Sequence, residues 1–428
     1  MYIKNMSIKN FKSIEEAEIE FNPLTMIVGA NASGKSNIIN VFRFIENIMT
    51  DGIENAVALQ GGIQYISNAN LPKGEKIEIR FTIDVSNESW MRHLQNKKLA
   101  LEVQEIDYKF IIQPNKKGGG YHIAYDYVKM SYDCYSFDSA AAKGEKYNSL
   151  NIQYATTFER KNQQASIKIN HEIASDEVVA QDFENELKSD TACSYFAFVT
   201  SEHKTELMLY RLSMLLPPYF SENTFIRIFD FDPKELKRSS SMASTKMLEE
   251  NGANLASILQ SILRKKEDSK KLTLLLNEFL PFIETVSVEN NPDKSFSYKI
   301  RECYNNKDFY ANFLSDGTVS ILALIIALYF EALSNVIILE EPERNIHPKL
   351  LANLISSAED IAKEKQVIIT THNPEFLKHA NIDDVRLVSR DCSGKTKVSK
   401  PGDSTIVKEF MRNDLGLEEL FLQGLLEE

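Results

Sequence analysis

Apolar and polar positions along the chain predict alternating strands and helices near its beginning. Residues 2–8 and 14–21 alternate roughly between apolar and polar side chains, which indicates two half-buried strands. The short run Leu24-Thr25-Met26-Ile27-Val28 is typical of a buried strand, and residues 37–48 repeat apolar side chains at helical spacing. Three further alternating segments predict an antiparallel sheet added to this strand and helix: residues 76–84, 106–112 and 121–127.

A second regular stretch begins near residue 284 and contains the most apolar segments. Residues 318–333 are almost entirely apolar, so we expect a helix that is buried on all sides. Residues 336–339 and 366–371 read as strands buried on both faces, with an amphipathic helix over 347–362 between them. Strand, helix and strand in this order predict a parallel crossover. The fold class is therefore α/β, with a mixed central sheet and an added antiparallel sheet.

The middle of the chain has a weaker pattern. We expect a mostly helical insert over residues 149–283, between a first lobe at 1–148 and a second lobe at 284–428. The segment 234–245 is polar and rich in serine, which favours an exposed loop. Helical spacing is present in four segments of the insert: residues 183–198, 206–216, 254–264 and 271–282.

The strand at 24–28 and the helix at 37–48 enclose a phosphate-binding loop. Residues 29–36 match the pattern GxxxxGKS without a mismatch, in the strand-to-helix context that this motif needs. Backbone N–H groups and the helix N-terminus attract phosphate oxygens, Lys35 reaches the outer phosphates, and Ser36 presents a hydroxyl to Mg²⁺. We expect eight residues to hold a nucleoside triphosphate: Gly29, Asn31, Ala32, Ser33, Gly34, Lys35, Ser36 and Asn37.

Two carboxylates follow the buried strand at 336–339. Ligands of open parallel sheets bind at the carboxyl ends of the strands, where Glu340 and Glu341 lie. We expect Glu340 to hold Mg²⁺, directly or through water, and Glu341 to polarise the attacking water. His372 ends the next buried strand and could donate to a γ-phosphate, although a single loop histidine is more often uninvolved.

Ser315 stands directly before the apolar helix. Its side chain can cap that helix, and the free N–H groups of the first turn, including that of Gly317, form an anion site. Taken alone, the segment 313–318 fits a plain helix cap better than an anion site.

The charge, hydropathy and cysteine content of the chain limit the kinds of partner that it can bind. The 428 residues carry a net charge of −12, which argues against binding nucleic acid by overall attraction. Basic clusters at 234–238 and 264–271 leave a local patch open, although such clusters usually lie on solvated helix faces. The longest apolar run, 321–330, is shorter than the roughly 20 residues that span a bilayer. With four well-separated cysteines and no signal segment, we expect a cytoplasmic protein without a membrane partner.

Taken together, these segments resemble the head of ABC-type ATPases, most closely the RecF-like and OLD-like bacterial ATPases. The resemblance rests on Asn10-Phe11-Lys12-Ser13, residues 29–37, Ser315-Asp316-Gly317-Thr318, Glu340-Glu341-Pro342-Glu343 and His347-Pro348. It implies an ATPase that uses ATP and Mg²⁺, with Glu341 and His372 as catalytic residues. It also implies that Ser315 and Gly317 act on the ATP of a second subunit, so that ATP closes a homodimer or a larger oligomer.

The resemblance also bears on the biological function. OLD-type proteins continue into a Toprim nuclease domain, whereas this sequence ends at Glu428, so we expect a separate effector, a nuclease or toxin in phage defence. Two alternatives stay open: a RecF-like DNA-binding repair ATPase, and a scaffold that holds ATP with little hydrolysis. Nucleic acid would be contacted directly or through the partner. Asp316 and Glu340 depart from the usual glycine and aspartate, and Glu340 therefore leaves direct contact with Mg²⁺ open.

Overall fold

The computed structural model describes residues 1–86, 91–93, 99–117, 119–138, 146–161, 164–173, 206–210, 225–243, 245, 247–331, 334–412 and 415–426. Contacts divide the chain into two compact units. Unit 1 contains Met1–Phe21, Asn37–Thr224 and Arg390–Val398. Unit 2 contains Asn22–Ser36, Phe225–Ser389 and Ser399–Glu428. The predicted helix at 183–198 and most of the one at 206–216 lie outside the described residues.

The strands of the described chain are numbered in order: β1 (Tyr2–Phe11), β2 (Ile14–Glu20), β3 (Leu24–Val28), β4 (Ile77–Asp84), β5 (Met91–His93), β6 (Leu99–Pro114), β7 (Tyr121–Asp138), β8 (Lys146–Lys161), β9 (Gln164–Ile173), β10 (Ile226–Phe229), β11 (Ser240–Ser241), β12 (Ile283–Asn290), β13 (Ser295–Glu302), β14 (Asp308–Tyr310), β15 (Val336–Glu340), β16 (Gln366–Thr371), β17 (Val385–Arg390) and β18 (Thr396–Ser399).

The α-helices of the same residues are α1 (Lys35–Leu59), α2 (Ile63–Ile66), α3 (Pro233–Leu236), α4 (Leu255–Leu263), α5 (Lys266–Phe279), α6 (Asp316–Tyr329), α7 (Leu351–Ala362), α8 (Thr405–Arg412) and α9 (Leu417–Leu422).

Unit 1 is built on an antiparallel sheet. Its described strands pair in the order β2-β1-β4-β6-β7-β8-β9, with β5 paired to β6. Helix α1 packs on this sheet through aromatic rings: Phe44 lies 5.9 Å from Phe11 and 6.3 Å from Phe110, and Phe42 lies 5.5 Å from Phe21, all between ring centroids. The alternation along β1, β2 and β4 places their apolar side chains in this core, as the sequence predicts.

Residues 149–173 differ from the sequence prediction. Their described part belongs to strands β8 and β9, whereas a mostly helical segment was expected. In β8, four consecutive side chains, 155–158, are buried, so apolar and polar residues do not alternate. The buried hydroxyl of Thr156 is satisfied by Tyr132, with 2.9 Å between Thr156 Oγ1 and Tyr132 Oη. Pairing with β7 therefore decides this segment, which local periodicity could not show.

Unit 2 contains a parallel sheet that joins distant parts of the chain. Five of its strands lie in the order β10-β15-β16-β3-β17, and the pairs in this series are parallel. All residues of β3 and β16 are buried, as is β15 except at Glu340, which agrees with strands covered on both faces. The sequence pattern did not reveal β10. The strands β15, β16 and β3 are parallel neighbours, so their carboxyl ends lie side by side at one edge of the sheet.

The predicted apolar helix is α6, and it forms the centre of unit 2. Every residue from Thr318 to Leu328 is buried, among side chains of α4, α5 and α7. The segment 234–245, expected to be an exposed loop, instead includes part of α3 and the short strand β11. Leu236 is fully buried, and its carbonyl accepts a hydrogen bond of 3.1 Å from Tyr298 Oη. Within the described part of the chain, no helix has the length and apolar character needed to cross a membrane.

Candidate functional site

The loop after β3 has the backbone of a phosphate-binding loop. The N–H of Gly29 donates to the carbonyl of Thr371 at 3.2 Å, which ties the start of the loop to the end of β16. A Cβ atom at Gly29 would collide with the carbonyl oxygen of Val388, so glycine is required there. Ala32 and Gly34 have φ angles of 62° and 115°, which wrap the chain before α1 begins. Turns of this kind are typical of backbone nests, in which successive N–H groups bind an anion.

The individual loop residues differ in exposure. Asn31, Ala32 and Ser36 are exposed, whereas Ser33, Gly34 and Lys35 are buried. Asn37, on the first turn of α1, is half-buried, and its Nδ2 donates to Ser13 Oγ at 2.5 Å. The exposed members are therefore available to a ligand, while Asn37 is engaged within unit 1.

The side chain of Lys35 forms hydrogen bonds with the backbone of the phosphate-binding loop itself. Its Nζ donates to the carbonyl oxygens of Gly29 at 2.8 Å and Ala30 at 3.0 Å. The same Nζ lies 3.9 Å from Glu341 Oε1, and the side chain is only 6% exposed. Burial lowers the pKa of Lys35, although nearby carboxylates, Glu341 foremost, oppose that shift. A buried cation with carbonyl contacts can exchange them for charged phosphate oxygens, which form stronger hydrogen bonds.

Ser36 and Glu340 meet although they lie far apart in the sequence. Ser36 Oγ donates to Glu340 Oε1 at 2.9 Å. A hydroxyl and a carboxylate in contact are oxygen ligands of the kind that Mg²⁺ prefers, and this ion usually completes its shell with phosphate oxygens and water. The pair therefore fits Mg²⁺. Within the described ranges, no group of three or more His, Cys, Asp and Glu side chains could hold a metal by itself.

Glu341 has surroundings different from those of its neighbour. Its φ of 45° ends the strand, and its N–H donates to the carbonyl of Thr370 at 3.0 Å. Its Oε1 lies 3.1 Å from His372 Nδ1, and its Oε2 accepts from Arg344 Nε at 3.0 Å. Burial acts to raise the pKa of Glu341, but the hydrogen bond from Arg344 and the nearby His372 outweigh it, and the pKa lies below its usual value. The carboxylate is thus ionised near neutral pH and can accept a proton.

The structure places the predicted signature residues at the start of α6. Ser315 caps the helix, because its Oγ accepts from the N–H of Thr318 at 3.1 Å. A Cβ atom on Gly317 would lie 2.6 Å from the carbonyl oxygen of Asn345, so the first turn needs glycine at this position. In the described structure, no hydrogen bond joins Ser315 or Gly317 to Lys35 of the phosphate loop.

Several residues near these groups carry interactions that the sequence analysis missed. Arg344 bridges Glu341 to Asp230, with 2.7 Å between Arg344 Nη1 and Asp230 Oδ1. Lys237 pairs with Asp316 of the signature segment, with 2.6 Å between Nζ and Oδ1. Arg344 directly follows the motif Glu340-Glu341-Pro342-Glu343, so its place in the sequence could have indicated that it lies near Glu341. Nothing in local periodicity connects residues 230 and 237 to this part of the fold.

Known protein families and curated proteins share sequence similarity with this chain. A family model described as "AAA ATPase domain" matches residues 1–377. The DNA replication and repair protein RecF of Streptococcus agalactiae serotype Ia is 41% identical over 46 residues, which are 10% of this chain and 12% of that protein. RecF of Lactobacillus johnsonii is 23% identical over 112 residues, 25% of this chain and 30% of that protein. The chain thus matches only a part of each curated relative.

A solved structure extends the similarity to nearly the whole chain. The SMC head bound to the C-winged helix domain of ScpA aligns with a TM-score of 0.53 and 15% identity. The alignment covers 93% of this chain and 97% of the SMC head chain. At this identity the similarity concerns the fold alone.

Proposed function

Because the chain belongs to the AAA ATPase domain family and is a RecF-like ABC-type ATPase head, we propose that it closes into a homodimer around Mg²⁺-ATP. The predicted ATPase activity is confirmed by this family membership, and the predicted α/β fold is confirmed by the similarity to the SMC head. In the proposal, ATP-dependent closure in the cytoplasm controls a separate effector, a nuclease or toxin that protects the cell from phage. The resemblance to OLD-like ATPases supports this effector class.

The contact between Ser36 Oγ and Glu340 Oε1 is the observation that carries the proposed chemistry. Ser36 and Glu340 would hold Mg²⁺, which supplies positive charge to the phosphates when it is bound. Lys35 would release the loop carbonyls and bind the outer phosphate oxygens, while the N–H groups of the loop surround them. The chain turns at Glu341, so this second carboxylate has other neighbours than Glu340, which favours a different role for it.

Glu341 is proposed to orient and polarise the attacking water. Its carboxylate is ionised and lies beside Lys35 and His372, so it faces the side of the site where the outer phosphate would be bound. His372, 39% exposed, would donate to the γ-phosphate. Arg344 then serves to hold Glu341 in place through its second oxygen.

Ser315 and Gly317 are proposed to complete the nucleotide site of a second subunit. The N-terminus of α6 has N–H groups and a cap hydroxyl that suit an anion, and in the described structure no hydrogen bond joins these residues to Lys35 of their own chain. The SMC head whose fold is similar was solved with a bound partner domain, and this supports a protein partner for the present chain as well.

The defence proposal can be tested in bacteria that carry this gene together with the genes that adjoin it. We expect fewer plaques with the parent sequence, and loss of protection with Lys35→Ala or Glu341→Gln. Lys349→Ala, which changes an exposed lysine of the same unit, is the matched control and should protect like the parent. Protection that persists in both active-site variants would contradict control by ATP.

The matches to RecF favour a second candidate, an ATPase that binds DNA for repair. Fluorescence anisotropy with duplex and gapped DNA distinguishes it from the first. A repair factor should bind DNA in the presence of ATP with an affinity that falls steeply with salt. An effector-controlling head without direct DNA contact should show no such binding until its partner is added.

A further inference from the structure

Glu343, the last glutamate of Glu340-Glu341-Pro342-Glu343, is a buried carboxyl group that the proposed chemistry does not use. Its side chain is 7% exposed, and its Oε1 accepts a hydrogen bond of 2.5 Å from Thr371 Oγ1. Its Oε2 is buried without a hydrogen-bond partner among the described residues. Burial raises the pKa of Glu343. Burying a carboxyl group with one oxygen unpaired opposes folding, so packing alone gives no reason for a glutamate at this position.

Thr371, the partner of Glu343, connects three parts of the site. It is fully buried at the end of β16, and its carbonyl accepts the N–H of Gly29 at the start of the phosphate loop. Its Oγ1 accepts the N–H of Asn373 at 2.9 Å and donates to Glu343. The residues on both sides of His372 are therefore fixed through one hydroxyl group, and that hydroxyl is oriented by Glu343.

The side chain of His372 is only weakly restrained by its surroundings. Its side chain is 39% exposed, so packing restrains the imidazole only in part. Its Nδ1 nevertheless lies 3.1 Å from Glu341 Oε1, and this placement depends on the backbone from which the side chain extends. Because the His372 side chain extends from this backbone, a rigid backbone over 371–373 helps to fix the distance between the imidazole and the Glu341 carboxylate.

We propose that Glu343 is a positioning residue that acts through Thr371 to hold His372 against Glu341. The inference rests on the proposed function insofar as His372 and Glu341 serve ATP hydrolysis. What Glu343 supplies is a hydrogen-bond acceptor of the right shape. A glutamine at 343 keeps an acceptor oxygen, whereas a leucine fills similar space and accepts nothing.

Three variants test this proposal by ATP turnover. Glu343→Leu and Thr371→Val each remove one half of the hydrogen bond, and we expect kcat to fall about 10- to 100-fold because the catalytic groups are misplaced. ATP affinity by calorimetry should stay within about twofold, since neither side chain reaches the phosphates. Glu343→Gln should remain close to the parent. Glu359→Leu changes an exposed glutamate of the same unit and is the matched control.

Combining the variants with His372→Ala shows whether the effect passes through the histidine. If it does, Glu343→Leu should lower kcat no further in the His372→Ala background, because the residue that it positions is absent. A residue that only stabilises the fold would lower activity equally in both backgrounds. Thr371→Val, which is nearly isosteric, keeps the test valid if Glu343→Leu does not fold.

A second readout does not require turnover. The chain has seven histidines, and the ¹³Cε1 signal of His372 in the nucleotide-free protein is identified by its loss in His372→Ala. The chemical shift of that signal should differ from the parent value in Glu343→Leu and Thr371→Val and should equal it in Glu343→Gln. An unmoved signal in the first two variants overturns the proposal, as does a fall in kcat for Glu343→Gln equal to that of Glu343→Leu. If the parent hydrolyses no ATP, the proposed function fails, while the ¹³Cε1 signal still decides the positioning.

Discussion

Ser36 Oγ donates a hydrogen bond to Glu340 Oε1, with 2.9 Å between two residues that are 304 positions apart in the chain. The strand β16 lies between β15, which ends at Glu340, and β3, which precedes the loop that leads to Ser36. The adjacent Glu341 faces other groups, His372 and Lys35. Two neighbouring carboxylates therefore have separate surroundings, and substitutions at each should give different results.

Glu341→Gln should stop hydrolysis while ATP still binds. The amide keeps the shape of the side chain but removes the charge that polarises water, and general-base contributions are about 10²- to 10⁴-fold. Uncleaved ATP should then hold the dimer closed, which size-exclusion chromatography with light scattering would detect as a doubled mass. Hydrolysis at the parent rate would show that Glu341 does not have this role.

Glu340→Gln is the matched comparison, because it makes the same chemical change one residue earlier. We expect weaker binding of Mg²⁺-ATP and no trapped dimer, since the oxygen that meets Ser36 loses its charge. Calorimetry with and without Mg²⁺ measures the difference. If the parent protein itself never turns over ATP but retains it through purification, the chain is a scaffold rather than a switch.

Lys35→Ala should lower ATP affinity while preserving the fold. Charge-assisted contacts to phosphate contribute about 1.5–3 kcal/mol, which corresponds to about ten- to a hundredfold in Kd. Isothermal titration calorimetry gives the affinity, and circular dichroism checks the fold. Lys349→Ala should bind ATP like the parent, because Lys349 is exposed outside the loop. Unchanged binding by Lys35→Ala would remove the basis for phosphate binding at this loop.

Ser315→Arg should separate ATP binding from dimer closure. The large side chain would obstruct the N-terminus of α6, so each subunit should bind ATP but fail to close and to hydrolyse it. Mixing this variant with Lys35→Ala should restore one composite site in each heterodimer, and with it partial activity if one site can act alone. Full activity of Ser315→Arg by itself would exclude action of the signature segment on a second subunit.

Arg160→Met should destabilise unit 1 strongly. Arg160 Nη2 lies 2.8 Å from Asp126 Oδ2, and the side chains of Arg160 and Asp126 are 4% and 0% exposed. Removing one partner leaves a buried carboxylate uncompensated, which costs about 3–5 kcal/mol. The control is Lys9→Met in the same sheet, because Lys9 and its partner Glu16 are both exposed, at 42% and 61%. It should cost less than about 1 kcal/mol in urea denaturation followed by circular dichroism.

Cys134 should respond to pH differently from exposed thiols. Burial, with a smaller contribution from Asp133, raises the pKa of Cys134 to about 12, and the side chain is 1% exposed. An unfolded cysteine has a pKa of about 8.5, so the folded state binds this proton more tightly. Its contribution to stability is complete below about pH 8.5 and declines as the pH rises toward the folded value.

Two measurements check this expectation. Iodoacetamide at pH 8.5 should label the exposed Cys303 and Cys392 in the native protein, and Cys134 only after urea is added, as peptide mass spectrometry would show. The free energy of unfolding should fall with pH above 8.5, and Cys134→Ala should reduce that slope. Labelling of Cys134 in the native protein as fast as of Cys303 would contradict its burial.

The sequence by itself determined the parts of the site that are contiguous. The phosphate loop lies within eight residues, and its short flanking strand and helix follow from local periodicity. The cap at Ser315 and the buried helix α6 were equally local, because a cap needs only the next three residues and a buried helix is apolar on every side. The ATPase class, the α/β fold and the resemblance to RecF-like heads could therefore be predicted and were confirmed.

Only the tertiary structure decided which of these segments meet. Strand order is set by pairing between segments far apart in the chain, and neither periodicity nor motif spacing reports it. For this reason β10, the contacts of Glu341 with Arg344, and the hydrogen bond between Glu343 and Thr371 were not foreseen. The same limit explains why the insert over 149–283 was expected to be mostly helical, although its described residues up to 173 are strands. In β8, Thr156 and Thr157 are buried together with Ala155 and Phe158, and the alternation by which a strand is recognised is lost.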